Sequence, residues 1–222
     1  MLVYLLLQFY EGPLFTGYLD EFFGRPLLTT CPFNIGMIRI FFDIETYSPD
    51  EHGPSLFDKV ISIAYKIGES DVVALKEWEL GEKEVLTRFL DVIQSQDRPN
   101  IIGHNILRFD IPVIVCRSVE NGLGRLEEIY SVFRDPYGID LLQCLLPSNR
   151  MYFRGLGLAS CAERLGISLA SENGSSIQVL YERGEYEKIV DHNVEDVLVT
   201  ERLSYHLMNC DFDPFSEGSD IA

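Results

Sequence analysis

The alternation of apolar and polar positions becomes regular at Met37. From Ile38 to Thr46 the chain reads IRIFFDIET, a β-branched and aromatic run that predicts a strand. After a loop at 48–54 containing Pro, Asp and Gly, VISIAYKIG at 60–68 alternates as a second strand. Gly68-Glu69-Ser70-Asp71 predicts a turn, with VVALKEWEL at 72–80 as the hairpin partner. The period then changes: in KEVLTRFLDVIQSQ (83–96), Val85, Leu86, Phe89, Leu90 and Ile93 share one helical face. Arg98-Pro99-Asn100 breaks that helix, and IIGHN (101–105) reads as a buried strand. FDIPVIVCRSVENG (109–122) predicts a helix with Pro112 in its first turn and Gly122 near its end. IDLLQCLL (139–146) fits a strand or a helix equally. LGLASCAERLGI (156–167) predicts a helix, and GEYEKIVDHNVEDVLVTERLSYHLM (184–208) one long helix or two short ones.

Three strands, a helix, a strand and further helices define an α/β layout with a mixed central sheet and flanking helices. Residues 1–36 differ from the rest, being rich in Leu, Phe and Tyr with breaks at Gly12-Pro13 and Arg25-Pro26. Two readings stay open for them: an extension upstream of a start at Met37, or an N-terminal segment packed on the domain. The expected organisation is 1–36 as an N-terminal extension of open status, 37–210 as one domain, and 211–222 as an acidic, flexible tail.

Composition narrows the class. The 222 residues, 46% hydrophobic and 24% charged, suit a globular domain with a buried core. No run reaches the ~18 apolar residues of a membrane span, so no membrane association is expected. MLVYLLLQFY lacks the basic start and cleavage site of a signal peptide. The five cysteines (31, 116, 144, 161 and 210) are scattered, odd in number and never in a Cys-x-x-Cys pair. That argues against a zinc site or a disulfide framework and predicts a cytoplasmic location. Cys116, Cys144 and Cys161 stand among apolar neighbours and are expected in the core.

The candidate chemistry lies in three short acidic segments. In FFDIET, Asp43 and Glu45 stand two apart on a strand and therefore point to one face, while Phe42 and Ile44 point to the other. In HNILRFD, Asp110 begins a helix just after a strand, where ligands collect in open α/β sheets. In HNVED, His192 and Asp196 share one face of a helix. Each has a plain alternative: a solvated strand face, a helix-dipole acid, a surface i, i+4 pair. Together, carboxylates so distributed match what two hard divalent cations, Mg²⁺ or Mn²⁺, require. Paired cations of this kind are a common tool for cutting phosphodiesters. Histidine suits the role of general base, its unperturbed pKa being ~6.5.

The set, in this order, resembles the DEDD (DnaQ-like) superfamily of 3′–5′ exonucleases, which has a ribonuclease H-like fold. It most resembles the proofreading domains of family-B DNA polymerases and their stand-alone relatives. The resemblance spans roughly Met37 to Met208. Asp43 and Glu45 match the first motif, Asn105, Phe109 and Asp110 the second, and Asp196 the acid of the third. GLGLASCAERLGI resembles the helix that precedes the third motif. One position departs: one branch has Tyr-x-x-x-Asp and the other His-x-x-x-x-Asp. Here His192 stands at the first branch's spacing.

The resemblance implies two-metal hydrolysis, with Asp43 bridging both ions, Glu45 and Asp196 on the nucleophile side and Asp110 on the other. It implies His192 in place of the tyrosine that orients water. Thr46, Asn105 and Phe109 become candidate contacts to the terminal nucleotide, although Phe109 fits a core position equally well. The implied substrate is the 3′ end of a single-stranded nucleic acid, DNA favoured over RNA, with protein partners in any replication or repair role. Two rival readings are a catalytically impaired binding or scaffold subunit, and an endonuclease on the same fold. The net charge of −17 predicts weak grip on long duplexes, since phosphate contacts carry most non-specific affinity.

Other motifs are weaker. Asp140 fits a turn or cap better than a supporting acid, and His104 a packed neighbour of the site. Gly155-Leu156-Gly157 is too short to signal phosphate binding. Arg150, Tyr152, Phe153 and Arg154 interleave charge and rings in a way that suits a single strand or an ordinary loop.

Overall fold

The computed structural model describes residues 38–49, 55–134, 136–167, 169 and 176–208. The expectations for residues 1–36, for Cys31 and Cys210, and for the tail from Asp211 concern residues outside this set. Five strands form one mixed sheet: β1 (Arg39–Tyr47), β2 (Lys59–Ile67), β3 (Val73–Lys76), β4 (Asn100–Gly103) and β5 (Tyr137–Asp140). Their order is β3-β2-β1-β4-β5. The three N-terminal strands are an antiparallel meander, and β4 and β5 join parallel to β1. The expected α/β class with a mixed sheet and flanking helices is what the chain adopts.

Among the described residues the helices are α1 (Glu77–Leu80), α2 (Glu82–Gln94), α3 (Asp110–Glu120), α4 (Leu126–Arg134), α5 (Leu141–Leu145), α6 (Leu158–Arg164), α7 (Ile177–Glu182) and α8 (Tyr186–Met208). The period-2 pattern of β1 sorts its residues between two faces. Ile40, Phe42 and Ile44 join Val85, Leu86 and Phe89 of α2 and Val113 and Ile114 of α3 in the main core. Phe42 and Phe89 meet ring to ring at 5.0 Å between centroids. Burying each such side chain contributes about 1.5–3 kcal/mol. On the opposite face the single long helix α8 lies across β1 and β2. Its buried stripe runs Ile189, Asn193, Val197, Thr200, Glu201 and Ser204, which places polar groups and an acid in core positions. Lys66 of β2 pairs with Glu201 at 2.6 Å, tying sheet to helix.

Three details differ from the sequence reading or complete it. The hairpin partner expected over 72–80 ends at Lys76, and Glu77–Leu80 turns into α1. The cause is local. Trp78 leaves the sheet to stack on Tyr186 at 4.5 Å, and Glu77 pairs with Lys59 at 2.7 Å. The ambiguous segment 139–146 is both things in turn, a strand to Asp140 and a helix from Leu141. Cys144 is exposed, contrary to its expected place in the core. Leu141, Leu142 and Leu145 form the buried face of α5 and leave Cys144 on the other side. Cys116 and Cys161 are buried as expected. Among the described residues no helix is long and apolar enough to cross a membrane.

Candidate active site

The site forms where strand lengths are unequal. β4 pairs with β1 only from Arg39 to Phe41 and stops at Gly103, while β1 continues to Tyr47. Asp43 and Glu45 therefore project past the end of their parallel neighbour, at the carboxyl ends of the parallel strands. Gly103 permits the stop. A Cβ there would meet Ile106 Cγ2 at 2.1 Å and the carbonyl oxygen of Phe42 at 3.1 Å. Opposite Glu45 the register of β2 steps, since Glu45 faces Ser62 and Thr46 faces Val60, so Ile61 is an extra residue. This bulge lets Ile61 pack on Leu180 and Ile189 while Ser62, next to it, also reaches α8.

The four acids meet between β1, the start of α3 and α8. Asp110 opens α3, is only 4% exposed, and accepts a hydrogen bond from the Ile44 amide at 3.3 Å. It is a helix-start acid, and it also touches the strand that carries Asp43 and Glu45. Asp43 accepts from Asn193 Nδ2 at 2.8 Å, and Asn193 Oδ1 accepts from Ser62 at 2.8 Å. On α8, His192 Nδ1 lies 3.6 Å from an Asp196 oxygen and 3.9 Å from Glu45 Oε1. Those distances exceed hydrogen bonds, and among the described residues His192 Nδ1 has no hydrogen-bond partner. Donor atoms of Glu45, His192 and Asp196 all fall within 4.8 Å of one another.

Electrostatics make the cluster unusual. Burial, followed by the charges of Asp110, Asp196 and Glu45, holds the Asp43 carboxyl well above the usual carboxylate range. Burial and then Asp196 and Asp110 do the same to Glu45. Asp110 is pushed up to about 7, first by burial and further by Asp140 and Asp196, against hydrogen bonds that lower it. Asp196 is raised to about 6, chiefly by burial, with His192 opposing. The groups that lower these values are Asn193, backbone amides and His192; no lysine or arginine is among them. A concentration of desolvated, mutually repelling carboxylates without fixed cations fits divalent metal. Oxygen donors suit Mg²⁺ and Mn²⁺, and the imidazole nearby admits a first-row metal such as Mn²⁺.

The remaining candidates border this cluster. Asn105 takes a left-handed conformation (φ 69°) at the exit of β4, and its side-chain oxygen is buried without a hydrogen-bond partner. Phe109 is half-buried and packs against the main core. Strand alternation turns the Thr46 side chain to the face opposite Glu45 and leaves its peptide group beside that residue. His104 Nε2 lies 2.7 Å from the Leu156 carbonyl, joining the loop after β4 to the segment before α6.

Two further contributors carry little signal in the sequence. Asn193 occupies a core position of α8 at full burial; a polar residue on the stripe Ile189–Asn193–Val197 was the available sign of it. Asp140 caps α5 through the amides of Leu142 and Gln143. It also accepts from the Asn105 amide at 2.9 Å and the Leu107 amide at 3.1 Å. The cap reading of Asp140 holds, and the same carboxylate also clamps the loop leading to Asp110.

The mixed five-stranded sheet with flanking helices is consistent with an RNase H-like fold. The profile of the RNase_H superfamily matches residues 40–208, and the chain belongs to that superfamily. DNA polymerase 2 from Aeropyrum pernix is 31% identical over 83 residues, which is 37% of this chain and 10% of that protein. The structure of the family B DNA polymerase from the hyperthermophilic archaeon Pyrobaculum calidifontis aligns with a TM-score of 0.57 at 19% identity. That alignment covers 79% of this chain and 25% of the polymerase, and it shows the shared fold. The chain thus corresponds to a limited part of each relative.

Proposed function

We propose that this chain is a divalent-cation-dependent 3′–5′ exonuclease that hydrolyses phosphodiesters at the 3′ end of single-stranded nucleic acid, DNA in preference to RNA. One observation carries the reading: four desolvated carboxyls, Asp110 buried and the other three partly so, that repel one another with His192 beside them and, among the described residues, no lysine or arginine to offset them. Both relatives named above are DNA polymerases, which favours DNA as the substrate class.

Asp43, Glu45, Asp110 and Asp196 would hold two Mg²⁺ or Mn²⁺ ions. When bound, these supply Lewis-acid stabilisation of the charge on phosphorus and on the departing 3′-oxygen. His192 Nδ1, free of hydrogen bonds and facing Glu45 and Asp196, takes the proton of the attacking water. Asn193 keeps the Asp43 carboxylate in one orientation. Asp140 fixes the loop that carries Asn105. The Thr46 peptide, the Asn105 side chain and the Phe109 ring contact the terminal nucleotide.

The test is a 5′-labelled single strand, as DNA and as RNA, incubated with Mg²⁺ or Mn²⁺, beside chelator and Asp43→Asn controls. A metal-dependent ladder shortening from the 3′ end, absent in both controls, is expected. Cutting of a circular single strand would instead indicate an endonuclease. Folded, cation-binding protein that cuts neither form would indicate a non-catalytic subunit, the reading that the strong acidity of the chain favours.

A further inference from the structure

A second surface stands apart from the acids. Met151, Tyr152 and Phe153 are consecutive and exposed, at 63%, 69% and 46%. Arg150 and Arg154, also exposed, flank them. An exposed aromatic run is costly unless it is used. This one is held in shape: Arg150 and Met151 are left-handed (φ 53° and 64°), and the Asn149 side chain donates to the carbonyls of Tyr152 and Arg154. The loop reaches the catalytic side through Arg108, two residues before Asp110 in the chain. The Arg108 guanidinium lies over the Phe153 ring, 4.5 Å from its centroid.

Charge selects the occupant. Acids exceed bases by 17 in the whole chain, yet residues 141–162 contain two arginines and no Asp or Glu. Among the described residues no carboxylate pairs with Arg108, Arg150 or Arg154. Flat rings offered to solvent between unpaired arginines match the bases and phosphates of a single strand. A protein partner of ordinary composition would leave those arginines to find acids of its own.

We propose that Tyr152 and Phe153, with Arg108, Arg150 and Arg154, form a platform for the unpaired strand upstream of the nucleotide in the acidic site. Bases stack on the two rings, and the arginines bind the phosphates between them. The proposal rests on the nuclease reading only for the position of the strand's end.

Binding is measured by fluorescence anisotropy in an Asp43→Asn background, with labelled oligothymidylates and oligouridylates of increasing length. Affinity should rise with length until the strand spans the loop. Tyr152→Ala with Phe153→Ala should weaken the longer strands about tenfold or more and abolish that length dependence. Arg150→Ala with Arg154→Ala should reduce the salt dependence of log affinity by about 0.7 for each phosphate that is no longer neutralised. Phe153→Leu keeps apolar bulk but removes the stacking face, so it should weaken binding, whereas Tyr152→Phe should not; thermal melts check that each variant is folded. Rings whose removal leaves binding within about twofold at every length overturn the proposal and assign the loop to a protein partner. Ring-dependent binding by a wild-type protein that cuts nothing supports the platform and removes the nuclease reading. Cleavage indifferent to the rings at every strand length does the reverse.

Discussion

Asn193 and Asp43 are joined across the sheet–helix boundary by a 2.8 Å hydrogen bond, and the other end of the same amide is held by Ser62. The amide is fully buried and sits beside His192, so one residue both docks α8 on β1 and β2 and aims a candidate ligand. Its donor stabilises the charged form of Asp43, against the burial and repulsion that disfavour it. Asn193→Ala removes both bonds and leaves Ser62 and Asp43 without these partners. The expected loss is about 1–3 kcal/mol of stability. Each kcal/mol should appear as a fall of about 2–4 °C in Tm for a chain of this size. Calorimetry with and without Mn²⁺ checks it, and the deficit should be largest in the metal-free protein. A Tm equal to that of the wild type would remove Asn193 from the dock.

Asp140 is the next point of leverage. Four backbone amides converge on its carboxylate: Asn105, Leu107, Leu142 and Gln143. Asp140→Ala uncaps α5 and releases the loop between β4 and α3 in one change. Loss of a cap alone costs about 1 kcal/mol. The two loop amides should raise the total to about 2–3 kcal/mol. Because the loop carries Asn105 and leads to Asp110, cleavage should fall further than stability does. Urea melts and cleavage rates on the same variant separate the two effects, and a stability loss with unchanged rates would confine Asp140 to structure.

Much of this was legible in the residues, for identifiable reasons. Period-2 patterning in IRIFFDIET requires Asp43 and Glu45 to share a face, and β1 obeys it. Period-3.6 patterning in α2 places Val85, Leu86, Phe89, Leu90 and Ile93 inside, as observed. What stayed hidden was tertiary. The early end of β3 depends on Trp78 finding Tyr186, more than a hundred residues away in sequence. The exposure of Cys144 depends on which side of α5 the sheet occupies. The role of Asp140 depends on β5 bringing it beside Asn105, a parallel pairing that no local pattern encodes. The bulge at Ile61 is likewise a property of two strands together.

The raised carboxyls fix how stability should respond to pH and metal. Asp110 and Asp196 have ordinary values of 3.8 and are pushed to about 7 and about 6 in the folded protein. Between those limits the folded chain holds protons that the unfolded chain has lost. The metal-free protein should therefore lose stability as pH rises from about 4 to about 7. Divalent cations bind the deprotonated carboxylates, so their stabilisation should grow over the same interval. Melting curves at stepped pH, with chelator or with Mn²⁺, should diverge toward neutral pH. Parallel curves would mean that no cation binds these acids.

His192 can be assigned by separating binding from turnover. Its Nδ1 lies within reach of Glu45 and Asp196 and close enough to their oxygens to join a metal's donor set. As a base that takes a proton from water, its loss in His192→Ala should lower turnover by about 10²–10⁴. Cation affinity would then change little, because the carboxylates carry most of it. As a ligand, its loss would weaken Mn²⁺ binding along with the rate, and raising Mn²⁺ would restore much of the activity. Titration calorimetry and cleavage rates over a range of Mn²⁺ concentrations distinguish these outcomes. The expected result is the first: a large fall in rate that excess Mn²⁺ does not rescue, with the cation still bound. His192→Gln keeps a hydrogen-bonding group but cannot accept the proton, so it should behave like His192→Ala. Recovery of the rate in His192→Gln would show that positioning the water, and not taking its proton, is what this residue does.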